Sequence, residues 1–306
     1  MKNRYIVTFA IILFTCFTSF SFAQSKKELK EFKRIRDKYL FNVKLKNKQI
    51  FENINFKLHK DFVIVPVVIN GKTYNFVFDT GAMTLFSDSL AKKLNATSSF
   101  PVPTIDAGGI TKTIDYYRTD NVQIGSLCFD NVGYGVANLD VFQKHLCMRI
   151  DGLLGVNIFN LLNWEIDFSN QIISVSNKPF SVNNYSMEIP FIESLGGRTP
   201  EIRMIMGKYN FYAKLDMGNN DLIQIPDSIF FTHRESSYLK YVKGKGEDTK
   251  TIFNDETPQN LYIAEIDSFY IVSIRKVSNL LIINAYLSKN KVESDFTFTT
   301  TNKSVI

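Results

Sequence analysis

Apolar residues recur along most of the chain in short runs, divided by clusters of Asn, Asp, Gly and Ser. Runs of helix-favouring alanine are scarce. That pattern predicts short strands rather than long amphipathic helices. The clearest unit is residues 62–82, FVIVPVVINGKTYNFVFDTGA, which read as a strand, an Asn70-Gly71 turn and a second strand ending on Asp79. Asn-Gly between apolar runs predicts a tight hairpin, because both central residues accept positive φ. Beyond Gly81, Ser87-Asp88-Ser89 can cap a short helix containing Leu90 to Leu94.

Asp79 is the anomaly in this pattern. An unpaired carboxylate closing a buried strand is costly, so it needs a partner or a task. A second unit supplies a candidate. Residues 201–230, EIRMIMGKYNFYAKLDMGNNDLIQIPDSIF, again read as a strand, a turn at Gly207 and a strand ending in Leu215-Asp216-Met217-Gly218. The glycine-to-aspartate spacings are eight and nine residues, and Asp88-Ser89-Leu90 recurs as Asp227-Ser228-Ile229. Repetition of this kind predicts two copies of one supersecondary plan.

FVFDTGA, followed later by Asp151-Gly152-Leu153-Leu154-Gly155, resembles the retropepsin and pepsin group of aspartic peptidases. Their catalytic turn reads apolar-x-Asp-Thr/Ser-Gly-Ala/Ser, and a later apolar-apolar-Gly segment packs beneath it. The chain is similar to exported, single-chain, two-lobed bacterial relatives of the retropepsins over residues 60–178, and partly over 186–306. The segment VNIFNLLNWEIDFSNQIISVSN fits as well, with a short helix and a hairpin turning at Ser169-Asn170.

The resemblance implies an all-β fold of two pseudo-symmetric acid-protease lobes, residues 51–178 and 186–306, the second divergent. It also implies an aspartic-type endopeptidase that needs no cofactor or metal and acts on a peptide or protein substrate. Asp79 and Asp216 would share one proton and activate water between them, because two adjoining carboxylates resist ionising together. Thr80 would tie the two turns together across the axis. Gly81 and Gly218 would allow close approach, and Leu153, Leu154 and Gly155 would pack under the Asp79 turn. Ala82 lacks the hydroxyl that acid-active relatives place there, which implies a higher working pH. Gly108 and Gly109 are the candidate tip of a substrate-covering flap, or else an ordinary hairpin turn.

The second copy departs from the family. Met217 replaces Thr/Ser, Asn219-Asn220 follow Gly218, and no glycine occurs after Gly246. A second apolar-apolar-Gly segment is therefore not expected, and the second lobe reads as degenerate or truncated at residue 306. Asp216 is then either the partner of Asp79 or a turn aspartate in a decayed repeat. Two further readings remain open: a homodimer using Asp79 from two chains, and a pseudopeptidase that binds peptides in the cell envelope.

Charge and the first residues refine this picture. Lys2 and Arg4 precede an apolar stretch from Tyr5 to about Phe20, and Ser21-Phe22-Ala23 offers small residues for cleavage. Residues 1–23 thus read as a secretory signal peptide, the alternative being a membrane anchor, although the apolar core falls short of the roughly 20 residues of a span. Export to the periplasm or cell envelope of a bacterium is expected, without stable membrane insertion after cleavage. The formal net charge is +6, but residues 24–60 alone carry twelve Lys/Arg against four acids. Residues 24–50 read as a basic, partly helical arm without a sustained apolar face. Aromatics are not interleaved there as stacking platforms, so nucleic acid is not an expected partner. Cys128 and Cys147 remain after signal removal, and their pairing is open. His59, His145 and His233 are scattered, which argues against zinc. Neither a Gly-x-Ser-x-Gly elbow nor a His-Glu-x-x-His helix occurs.

Overall fold

A computed structural model of the chain describes residues 30–31, 33–48, 50–95, 99–106, 111–181, 189–194, 197–206, 209–219, 239–251, 254–266, 269–275 and 279–285. The chain divides into two units, residues 1–42 and 43–306. In the first, residues 33–39 form helix α1. Arg34 pairs with Glu31 there at 2.6 Å, and the Arg36 guanidinium lies over the Phe41 ring. Among the described residues, no helix is long and apolar enough to cross a membrane.

The second unit is built almost wholly of strands. It opens with β1 (Lys44–Leu45), β2 (Phe51–Asn55), β3 (Lys57–His59), β4 (Phe62–Ile69), β5 (Lys72–Phe78) and β6 (Leu85–Ser87). Helix α2 (Asp88–Leu94) follows, then β7 (Phe100–Ile105), β8 (Thr111–Thr119), β9 (Val122–Ile124), β10 (Leu127–Asp130) and β11 (Val132–Ala137). Helix α3 (Asp140–Leu146), β12 (Gly152–Leu154), helix α4 (Val156–Phe159), β13 (Asn163–Asp167) and β14 (Ile172–Ser176) complete the first part.

The turn chemistry read from the sequence is realised. Asn70 and Gly71 sit at φ 51° and 74°, and β4 pairs with β5 up to Ile69 opposite Lys72. Ser87 caps α2 by accepting from the Leu90 amide. The β13–β14 hairpin turns through Ser169-Asn170, where Asp167 accepts from the Asn170 amide at 2.9 Å. Pairing begins earlier than the expected start at residue 51. Lys44–Leu45 already pair with β10, and Val43 and Ile50 are buried in the core, so the basic arm is shorter than residues 24–50.

An eleven-stranded sheet runs in the order β1-β10-β9-β4-β5-β12-β6-β11-β8-β7, with β3 on β4. A three-stranded sheet, β13-β14-β2, shares its core. At the centre of the large sheet, β12 lies between β5, to which it is parallel, and β6, to which it is antiparallel. Aromatic packing fixes this centre: Phe78 stacks on Phe159 at 4.1 Å and Phe86 on Tyr134 at 4.0 Å. Each such pair adds about 0.5–1.5 kcal/mol beyond its burial, which stiffens the strand that carries Asp79.

The later part contains β15 (Phe191–Glu193), β16 (Pro200–Met206), β17 (Tyr209–Lys214), β18 (Leu239–Thr251), β19 (Asn254–Ile266), β20 (Phe269–Arg275) and β21 (Asn279–Ala285). Strands β15, β16, β20 and β21 form a sheet with β17 on β16, and β18 pairs with β19 alone. The expected glycine turn pairs Met206 with Tyr209, as read, while Gly207 itself, Asn220 and Asp227-Ser228-Ile229 lie outside the described residues. So do residues 1–23 and the candidate flap tip with Gly108 and Gly109; β7 and β8 pair up to Ile105 opposite Thr111.

Candidate active site

Asp79 stands one residue past β5, where the parallel pairing with β12 continues into a hydrogen bond from its amide to the Leu154 carbonyl, 2.9 Å. The chain then turns so that the Gly81 amide donates to Asp79 Oδ1 at 2.8 Å. Leu153 and Leu154 lie beside Val77 and Phe78, and Gly155 passes under the turn. A Cβ on Gly155 would overlap the backbone of Met83 and Thr84, so only glycine fits that seat. The Val156 amide closes the support by donating to the Ala82 carbonyl at 2.9 Å.

A buried polar knot that the sequence reading did not single out holds this layer. Asn157 Oδ1 accepts from the Thr84 amide at 3.1 Å and from Thr84 Oγ1 at 2.7 Å, while its Nδ2 donates to the Gly133 carbonyl at 2.8 Å. The Gly155 amide donates to Thr84 Oγ1 at 3.1 Å. A lone asparagine inside the otherwise apolar Val-Asn-Ile-Phe helix was the available signal, since a polar group buried there must be partnered.

The second turn repeats the first locally. The Gly218 amide donates to Asp216 Oδ1 at 2.9 Å, and the Leu215 amide donates to the Pro200 carbonyl at 2.8 Å. The two turns face each other reciprocally. A Cβ on Gly81 would overlap the Asp216 carboxylate, and one on Gly218 would overlap the Asp79 carboxylate. Thr80 Oγ1 donates to the Leu215 carbonyl at 2.8 Å and accepts from the Met217 amide at 3.0 Å. Met217 cannot return these bonds; its side chain packs against the hydrophobic core of the first part instead. The tie is one-sided.

Asp79 is 5% exposed, and Asp216 is half-buried. Burial, then the charge of Asp216 and a hydrogen bond with it, push the Asp79 carboxyl well above the usual carboxylate range; the Gly81 amide and the Lys214 ammonium act in the opposite direction. Two carboxylates in such contact hold one proton between them, and titration belongs to the pair. An ionised member can take a proton from water while a protonated member donates to a carbonyl. Lys214 was also missed by the sequence reading. Its Nζ donates to the Gly81 carbonyl at 3.4 Å.

Residues 279–285 pair with β20 as the antiparallel strand β21. Cys128 and Cys147 are both free thiols.

Residues 65–158 match the family model described as aspartyl protease. No curated protein matches the chain. Among solved structures, it is similar to a retropepsin-like aspartic protease from Rickettsia conorii, at 19% identity and a TM-score of 0.31, over 42% of this chain and 94% of that chain. The stretch similar to the aspartyl protease family, residues 65–158, includes the Asp79 turn and the Leu153–Gly155 support beneath it.

Proposed function

We propose that the chain is an exported aspartic endopeptidase that hydrolyses peptide bonds with water activated between Asp79 and Asp216. The observation that carries this reading is the reciprocal fit of the two turns, each glycine seated against the other turn's aspartate. The protonated member of the pair serves as the acid towards the substrate carbonyl, and the ionised member as the base towards water. Thr80 holds the two carboxylates in register, and residues 186–306 act as a divergent second lobe. The facing of the Asp79 and Asp216 turns within one chain favours this assembly over a homodimer using Asp79 twice. Export rests on the signal-like residues 1–23.

One observation favours a second reading. Met217 leaves half of the cross-turn tie unmade, because it carries no hydroxyl to match that of Thr80. A loosened dyad would leave a peptide-binding protein of the cell envelope with little hydrolysis. Incubating the purified chain with a mixture of unstructured peptides, and mapping the products by mass spectrometry, separates the two. The peptidase reading expects discrete cleavages that vanish in Asp79→Asn; peptide binding without cleavage in either protein would favour the second reading.

A further inference from the structure

Lys214 has no counterpart in the first turn. It stands two residues before Asp216, as Val77 stands two before Asp79. Val77 is wholly buried, whereas Lys214 is exposed. The ammonium reaches across to the other turn and rests 3.4 Å from the Gly81 carbonyl, a long bond to a neutral acceptor. Among the described residues it makes no ion pair, although Glu201 lies opposite it across the β16–β17 pairing. The charge sits close enough to the dyad to act on Asp79.

We propose that Lys214 selects substrates that carry a carboxylate beside the scissile bond. This rests on the peptidase reading, in which a peptide bound for hydrolysis lies against the Asp79 and Asp216 turns, beside the ammonium that rests on Gly81. A carboxylate is a better partner than that carbonyl, because charge-assisted hydrogen bonds are roughly twice as strong as neutral ones. The ammonium therefore leaves Gly81 for the substrate, and the freed carbonyl becomes available to a backbone N–H. The carboxylate has two possible sources, an Asp or Glu side chain flanking the cleaved bond, or the free C-terminus of a short peptide.

The test uses four versions of one peptide that the wild-type protein cleaves or binds, carrying Glu or Gln beside the bond, each with a free or an amidated C-terminus. Affinities are read by anisotropy on the Asp79→Asn protein, which keeps substrate intact, and hydrolysis is read on the wild type. The Glu peptide should bind about three- to fivefold more tightly than its Gln version, the range of a partly solvated ion pair. Lys214→Met should erase the preference, Lys214→Arg should keep it, and Lys214→Glu should invert it. If the preference instead follows the free terminus over the amide, the terminal carboxylate is the source. Cleavage or binding without any charge preference, or a preference that survives Lys214→Met, overturns the role of Lys214 and leaves the peptidase reading intact. Failure of every peptide to bind or be cut overturns the peptidase reading and this inference with it.

Discussion

Thr80→Val is the most informative single change, because valine keeps the shape of threonine and removes only the hydroxyl. That hydroxyl makes two bonds across the turns, donating to the Leu215 carbonyl at 2.8 Å and accepting from the Met217 amide at 3.0 Å. A neutral hydrogen bond contributes about 0.5–1.5 kcal/mol net, and an abandoned buried partner costs about 1–3 kcal/mol. Leu215 and Met217 are half-buried, so water can repay part of the loss, which places the total near the low end, at about 2 kcal/mol. With no second threonine to share the load, this loss falls wholly on the contact between the turns. Amide hydrogen exchange at Met217 reads it directly, since that N–H loses its acceptor. At about 1.4 kcal/mol per factor of ten, exchange at Met217 should accelerate roughly 30-fold. Thr80→Ser keeps both bonds and should stay close to the wild type. Met217 exchange in Thr80→Val within about twofold of the wild type would refute the claim that Thr80 joins the turns.

Burial and Asp216 raise the Asp79 carboxyl, so the folded chain holds a proton that the unfolded chain releases near the ordinary Asp value. Stability from this group is complete below about pH 4 and is lost as pH climbs towards the raised value, at about 1.4 kcal/mol per unit. Thermal melts should therefore show Asp79→Asn gaining on the wild type as pH rises from 4 to 7; a constant difference would contradict the shared proton. Gly81→Ala and Gly218→Ala each drive a Cβ into the opposing carboxylate, and each should cut peptide hydrolysis by about a hundredfold or more while circular dichroism stays native. Asn157→Ala strands the Thr84 amide, Thr84 Oγ1 and the Gly133 carbonyl, all in a buried layer, and should cost about 3 kcal/mol or more in urea unfolding.

The parts of the fold written in local chemistry were legible in the sequence. Asn70-Gly71 announced its hairpin because few other pairs tolerate positive φ twice in succession. Ser87 announced the start of α2 through its capping oxygen. The Asp-x-Gly turns and Leu153-Leu154-Gly155 were readable because close backbone approach narrows the choice of residue almost to one. What stayed hidden depends on contacts distant in sequence. Asn157 becomes a keystone only when Gly133 and Thr84 close around it, and nothing in its neighbours foretells them. Lys214 reads as a solvated strand residue until Gly81, more than a hundred residues earlier, is brought against it. The pairing of Lys44–Leu45 was lost inside a basic stretch, since two residues carry no periodicity.

The central claim is that one chain holds both halves of the dyad. Peptide hydrolysis by the wild type and by Asp216→Asn, each followed over a hundredfold range of protein concentration, tests it most directly. The account predicts a wild-type rate proportional to concentration and an Asp216→Asn protein as inactive as Asp79→Asn throughout. An Asp216→Asn protein that retains wild-type activity, with a rate rising as the square of concentration, would show that the second carboxylate comes from another chain's Asp79.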